Sequence, residues 1–279
     1  MALTRNDKIK LFLLLVVWIL VCSPVLPEMV REWAEHSDNN HGFLVPLIAI
    51  YFIYQKKDGM NITVTSGSRW GAAILLSSLT VYLVSYAGGT AFPTRVAMVT
   101  SLFGLLWYCL GDDWMRLLRF PVLFLLFMIP VPYSLLSLVS MPLQLLATKM
   151  SAKLIGYCSI PVYREGNMLF FVGTQLEVAE ACSGIRSIMS LTMLGTIFAY
   201  FSNANLGKKA LLVVAAVPIA MVANIVRITG TGVLANFFGD QVARGFLHEF
   251  SGMAVFGFGL VTLGLLYSLL NRKKLHDTE

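Results

Sequence analysis

Val178-Ala179-Glu180-Ala181-Cys182-Ser183-Gly184-Ile185-Arg186-Ser187 passes from a polar, turn-like run into an apolar block that continues unbroken to Phe201. That change of character recurs along all 279 residues: 57% are hydrophobic, only 13% are charged, and the mean hydropathy is +0.74. A soluble domain carries about a quarter charged residues. Long apolar blocks divided by short polar segments predict an all-α polytopic membrane protein. The net charge of +6 is then read as a topology signal rather than a nucleic-acid footprint, and no nucleic-acid partner is expected.

The stretch also carries a candidate reactive group. A cysteine at the first turn of a helix faces unpaired backbone N–H groups, which favour thiolate over thiol. Arg186, four residues beyond Cys182, adds a full positive charge one helical turn along. The same residues serve equally well as a small packing residue and an interfacial anchor.

The spans follow from hydropathy and loop charge. Arg5, Lys8 and Lys10 precede an apolar run at 11–26. It resembles a signal peptide but lacks a small-x-small cleavage site, and Val21 before Cys22 excludes a lipoprotein signal. It is read as an uncleaved first span with a cytoplasmic N-terminus. Residues 27–40, with Glu28, Glu32, Glu35 and Asp38, are expected outside. A short second span follows from His41 to Tyr54, and Lys56, Lys57 and Arg69 place the next loop inside. Spans three and four are expected at 71–87 and 94–110, and a cytoplasmic turn at 111–116. Span five is expected at 120–136, ended by Pro130 and Pro132.

Residues 142–155 are expected to form an amphipathic helix in the membrane interface. Leu143, Leu146, Ala147, Met150 and Leu154 form its apolar face; Gln144, Thr148, Lys149, Ser151 and Lys153 form the other. Alternation over 168–172 and 175–179 predicts a hairpin around Gly173-Thr174. Spans six, seven and eight are expected at 185–201, 210–226 and about 251–270. Lys208-Lys209 and Arg272-Lys273-Lys274 lie inside, and an external segment at 227–247 turns at Gly230, Gly232 and Gly239-Asp240. The result is about eight spans, both termini cytoplasmic, in one transmembrane domain covering residues 1–279.

This topology brings Cys182, Arg227 and His248 to one membrane depth on one side. Thiol, guanidinium and imidazole together suit acyl transfer: the thiolate attacks a carbonyl, the guanidinium stabilises the oxyanion, and the imidazole moves the proton. Asn224 lies three residues before Arg227, and Gly252 four after His248. The amide is expected to orient the guanidinium, and the glycine to leave room for substrate. Cys158 and Cys182 flank one polar segment, which also admits a disulfide. A metal site drawing on Cys182, His248, Cys158 or His41 has no close-spaced ligand pair behind it. No cofactor is expected. A transporter with Arg227, Glu180 and His248 along its substrate path is the rival reading.

Glu180-Ala181-Cys182-Ser183-Gly184-Ile185-Arg186-Ser187, Asn224-Ile225-Val226-Arg227-Ile228 and His248-Glu249-Phe250-Ser251-Gly252 resemble the three signature motifs of the exosortase/archaeosortase family. His41-Gly42-Phe43-Leu44-Val45-Pro46 and the run 120–132 also resemble exosortase segments. The resemblance implies a membrane-embedded cysteine protease/transpeptidase of the bacterial inner membrane acting at the periplasmic face. Its partners would be membrane-anchored exported proteins ending in a Pro-Glu-Pro-type motif, a membrane helix and a basic cluster. It assigns Cys182 as nucleophile with Arg227 and His248 as its partners. No additional C-terminal domain of the kind some relatives carry is expected.

Overall fold

The computed structural model describes residues 5–56, 67–178, 184–239 and 246–271, with side chains for 9–56, 67–178, 184–239 and 252–271. Apart from one small sheet, the described chain is helical, an all-α polytopic membrane architecture. It divides into two compact units, Met1–Pro132 and Tyr133–Glu279.

In the first unit, helix α1 (Arg5–Cys22) breaks at Ser23-Pro24, and α2 (Val25–Glu35) leaves at 64°. A 3-10 turn (Ser37–Phe43) leads into α3 (Leu44–Gln55), a short helix that begins just after His41 as its hydropathy predicts. Helix α4 (Arg69–Ala87) ends at Gly88-Gly89, and α5 (Ala91–Phe124) follows, continued by a 3-10 turn (Leu125–Met128). Gly71 and Gly104 bring α4 and α5 into backbone contact. A methyl on Gly104 would lie 2.5 Å from the Leu75 nitrogen.

Helix α5 consists of two helices joined at Gly111, whose φ 82° and ψ −176° are not helical. Its two ends meet adjacent residues of α2. Arg95 forms a two-pronged ion pair with Glu32 at 2.6 and 2.8 Å, and Trp33 Nε1 donates to the Met128 carbonyl at 2.8 Å. A straight helix over 95–128 would hold those ends about 50 Å apart. The chain therefore doubles back at Gly111, where the sequence predicts a turn. The prediction of a turn as far as Arg116 is corrected: 112–124 is helical, and only the glycine breaks the helix. The far end of this unit is basic. Lys56 Nζ donates to the Leu117 carbonyl, and burial followed by the nearby Arg119 charge lowers the lysine's pKa.

In the second unit, α6 (Tyr133–Tyr157) leads into an antiparallel sheet of β1 (Val162–Glu165), β2 (Met168–Phe171) and β3 (Thr174–Glu177). The expected hairpin is β2–β3, with Leu169 opposite Leu176 and Gly173 at φ +89° in its turn; β1 is an additional strand. Leu169, Phe171, Leu176 and Val178 form the inner face of the sheet, packed with Ala147, Ile155 and Ile228. Helix α7 (Ile185–Phe201) has the predicted bounds. Helix α8 (Leu206–Phe238) and α9 (Phe246–Asn271) are longer than predicted. Leu191, Leu212, Ala216, Ala220 and Leu263 make the core shared by these three.

Two expectations are corrected here. Residues 227–238 continue α8 instead of forming an external loop. Gly232 is a packing glycine: a methyl there would lie 2.8 Å from Ile155 and 3.2 Å from the Phe171 ring. Helix α6 is longer than the expected 142–155, and it turns Thr148 and Ser151 of its expected polar face, rather than the large residues of its apolar face, toward the protein. Leu146, Met150 and Leu154 are exposed, while Ala147, Thr148, Ser151 and Ile155 are buried, and Ser151 Oγ donates to the Ile225 carbonyl at 3.1 Å. Large apolar side chains face outward and small or hydroxyl residues pack inward, the pattern of a helix in lipid rather than in water.

By length and composition five described helices suffice to cross a membrane, six if the bent pair α1–α2 is one span. The 38-residue candidate Ala91–Met128 contains the reversal at Gly111, and α7 is a shorter apolar helix.

Candidate active site

The candidate residues all belong to the second unit, and α8 carries two of them in its middle. Asn224 is 2% exposed and faces α7; Arg227, one turn on, faces α9. Asn224 sits against Gly184, where a methyl group would lie 3.3 Å from its Cβ, Cγ and Nδ2. Gly184 caps α7 with φ 80°, a left-handed conformation that glycine adopts without penalty, and its carbonyl starts the helix by accepting from the Ile188 N–H at 2.9 Å. A glycine cap brings no side chain to the helix N-terminus.

Arg227 lies alongside Gly252. A methyl on that glycine would be 3.8 Å from Nη2 and 4.0 Å from Cζ of the guanidinium. The space expected for substrate at Gly252 is thus bordered by the arginine itself. His248 lies one turn before Gly252 in α9; its side chain is outside the described residues, as are Glu180 and Cys182 entirely.

The depth of these positions is consistent. The α7–α8 connection and the end of α9 share one end of the unit: Ser202 Oγ donates to Asn271 Oδ1 at 2.9 Å, and Lys208 Nζ to the Leu270 carbonyl at 3.2 Å. From that end, Arg227 lies about 32 Å along α8 and Gly252 about 29 Å along α9. Both distances match a hydrocarbon core of about 30 Å. Ile185 begins α7 at the same far end. A positive helix terminus, Arg186 in its first turn and Arg227 therefore gather where two spans emerge and one begins.

Helix α7 starts at Ile185 after the left-handed Gly184, and the expected one-turn relation between Cys182 and Arg186 lies outside the described residues. Arg186 is the second residue of the helix and exposed. Cys158 is an exposed free thiol at the end of α6.

The segment entering the site is held by two residues that the sequence reading did not single out. Val178 N–H donates to the Asn167 carbonyl at 3.0 Å, and Asn167 Nδ2 donates back to the Val178 carbonyl at 3.3 Å. Gln144 Nε2, from α6, donates to the same carbonyl. In the sequence Asn167 reads as a turn residue after Gly166, and Gln144 as one polar residue of an amphipathic face. Neither carries a signal of the partner 11 or 34 residues away.

A family model described as transmembrane exosortase matches residues 33–265, which span both units and every candidate residue. No curated protein and no solved structure matches the chain.

Proposed function

The chain belongs to the transmembrane exosortase family, and on that premise we propose that it is a thiol peptidase or transpeptidase whose nucleophile is Cys182. Membership makes it a multi-pass membrane protein of protein sorting and processing, in a family of membrane peptidases and transpeptidases. Its substrates are exported proteins held by a C-terminal membrane helix and carrying a Pro-Glu-Pro-type motif with a basic cluster. The lysines at 208, 209, 273 and 274 and Arg272 put the opposite, catalytic end on the periplasmic side of the inner membrane, both termini cytoplasmic.

The observation that carries the reading is the double engagement of α8. Asn224 meets the cap of the helix that follows Cys182, and Arg227 meets Gly252 one turn from His248. One rigid element thereby links all three motif segments.

In the proposed reaction His248 takes the thiol proton of Cys182, and the thiolate sulfur attacks the carbonyl carbon of the scissile peptide. The carbonyl oxygen becomes an oxyanion, stabilised by the Arg227 guanidinium. Collapse breaks the C–N bond, and His248 returns the proton to the leaving amine. The resulting thioester between Cys182 and the substrate is released by an incoming nucleophile.

Purified enzyme incubated with a membrane-anchored reporter tests this. A mass increase at Cys182 equal to the N-terminal acyl portion of the reporter is expected, with the membrane-anchored amine fragment released. Cleavage by Cys182→Ala at the wild-type rate would overturn the proposal.

A further inference from the structure

We propose that Gln144 and Asn167 are positioning residues of this site: together they fix the backbone of Val178 and so set where Cys182 stands. The inference rests on the thiol-peptidase reading above. Val178 is 1% exposed, its side chain locked in the core beneath the sheet. Its carbonyl receives two side-chain donors, Gln144 Nε2 from α6 and Asn167 Nδ2 from the turn between β1 and β2; its N–H is taken by the Asn167 carbonyl. One donor satisfies a buried carbonyl. A second, arriving from a different element, occupies the other lone pair and fixes the direction of the peptide plane.

Beyond the cysteine the chain is fixed again at Gly184, by α7 and by contact with Asn224. Val178 and Gly184 are six residues apart, and Cys182 lies between them. Cys182 is four residues from one fixed point and two from the other, so both bound its position, and nucleophilic attack is sensitive to displacements of about 1 Å. Gln144 and Asn167 thus act through Val178 on the nucleophile without touching the substrate.

The test uses Gln144→Glu and Asn167→Asp in the full-length protein, in nanodiscs with the membrane-anchored reporter. Each replaces an amide donor by a carboxylate of the same shape that repels the Val178 carbonyl. At neutral pH, kcat per folded molecule is expected to fall about tenfold or more, the equivalent of one lost hydrogen bond, with KM within about twofold. On acidification the protonated carboxyl donates again, so the ratio of variant to wild-type kcat should rise. A purely structural role would lower the melting temperature and the folded fraction but leave kcat per folded molecule and that ratio unchanged.

Gln144→Met, which removes the donor without adding charge, guards against misfolding of the charged variants and should show the same kcat loss without pH recovery. Unchanged kcat per folded molecule overturns the inference, as does a failure of all three variants to fold. Cys182→Ala separates the two levels. If it is inactive while the Gln144 and Asn167 variants are fully active, only this inference falls; if it cleaves normally, the thiol reading falls with it.

Discussion

Asn224 packs its side chain directly against Gly184, the left-handed cap of α7, closer than ordinary contact to where a Cβ would stand. Gly184→Ala therefore meets two obstacles. A φ of 80° costs alanine about 1–2 kcal/mol, and the new methyl lies 3.3 Å from the amide. The variant should melt several degrees lower and cleave poorly. Adding Asn224→Ala should restore part of the stability by removing the steric component; full restoration would mean that backbone strain contributes nothing.

Arg227 and His248 should be separable by the leaving group. Arg227→Lys keeps the charge but loses the planar two-pronged donor, and removing one oxyanion donor costs on the order of a hundredfold in turnover. It should be severely slowed, and Arg227→Ala inactive. His248→Ala should fail on a peptide yet regain acylation with an activated thioester, whose leaving group requires no proton. That rescue should be absent in Arg227→Ala. Rescue of the arginine variant alone would exchange the two roles.

Helix α6 is long and apolar enough to cross a bilayer, but loop charge opposes it. Were it to cross, Lys208, Lys209 and Arg272 would change sides, against the distribution of basic residues in the first unit. In a background lacking Cys158, cysteines at Ser134 and Ser159, both exposed, should be labelled by an impermeant thiol reagent from the same side, and one at Asn203 from the other. Opposite labelling of Ser134 and Ser159 would show that α6 crosses.

Arg95 is 3% exposed and its guanidinium pairs with the Glu32 carboxylate. Arg95→Met strands the carboxylate and opens the α2–α5 contact, with an expected loss of about 3 kcal/mol. Pairing it with Glu32→Met should recover most of that, measured by thermal melting in detergent. A double variant no more stable than Arg95→Met would mean the arginine acts by packing alone.

The polytopic helical architecture was legible because hydropathy reports directly on a bilayer, but five or six described helices, not eight, are long enough to cross one. The bounds of α7, the end of α4 at Gly88-Gly89 and the break after Met128 before Pro130 all carry local signals. The apolar face of α6 was legible, but the burial of Thr148 and Ser151 was not, because a period of 3.6 locates a polar stripe without saying whether water or protein covers it. Gly232 was misread for a related reason: a glycine that opens a turn and one that admits Ile155 are the same letter. Asn224 and Gly252 were singled out by helical spacing from Arg227 and His248, a local relation, and they lie against Gly184 and Arg227. The Gln144–Val178 contact joins α6 to the end of the sheet across 34 residues, and no periodicity encodes it.

The reversal at Gly111 bears on how the chain enters the membrane. The segment after it begins with Asp112, Asp113, Arg116 and Arg119 and turns 3-10 by Leu125, so its apolar stretch is short. Such a segment inserts poorly by itself, since each charge opposes partitioning. Residues 91–110 supply a ready apolar wall, and Trp114, Met115, Leu118 and Val122 share a core with Phe103, Leu106 and Trp107. The two halves are therefore expected to enter lipid as one helical hairpin, the second half depending on the first for its apolar cover.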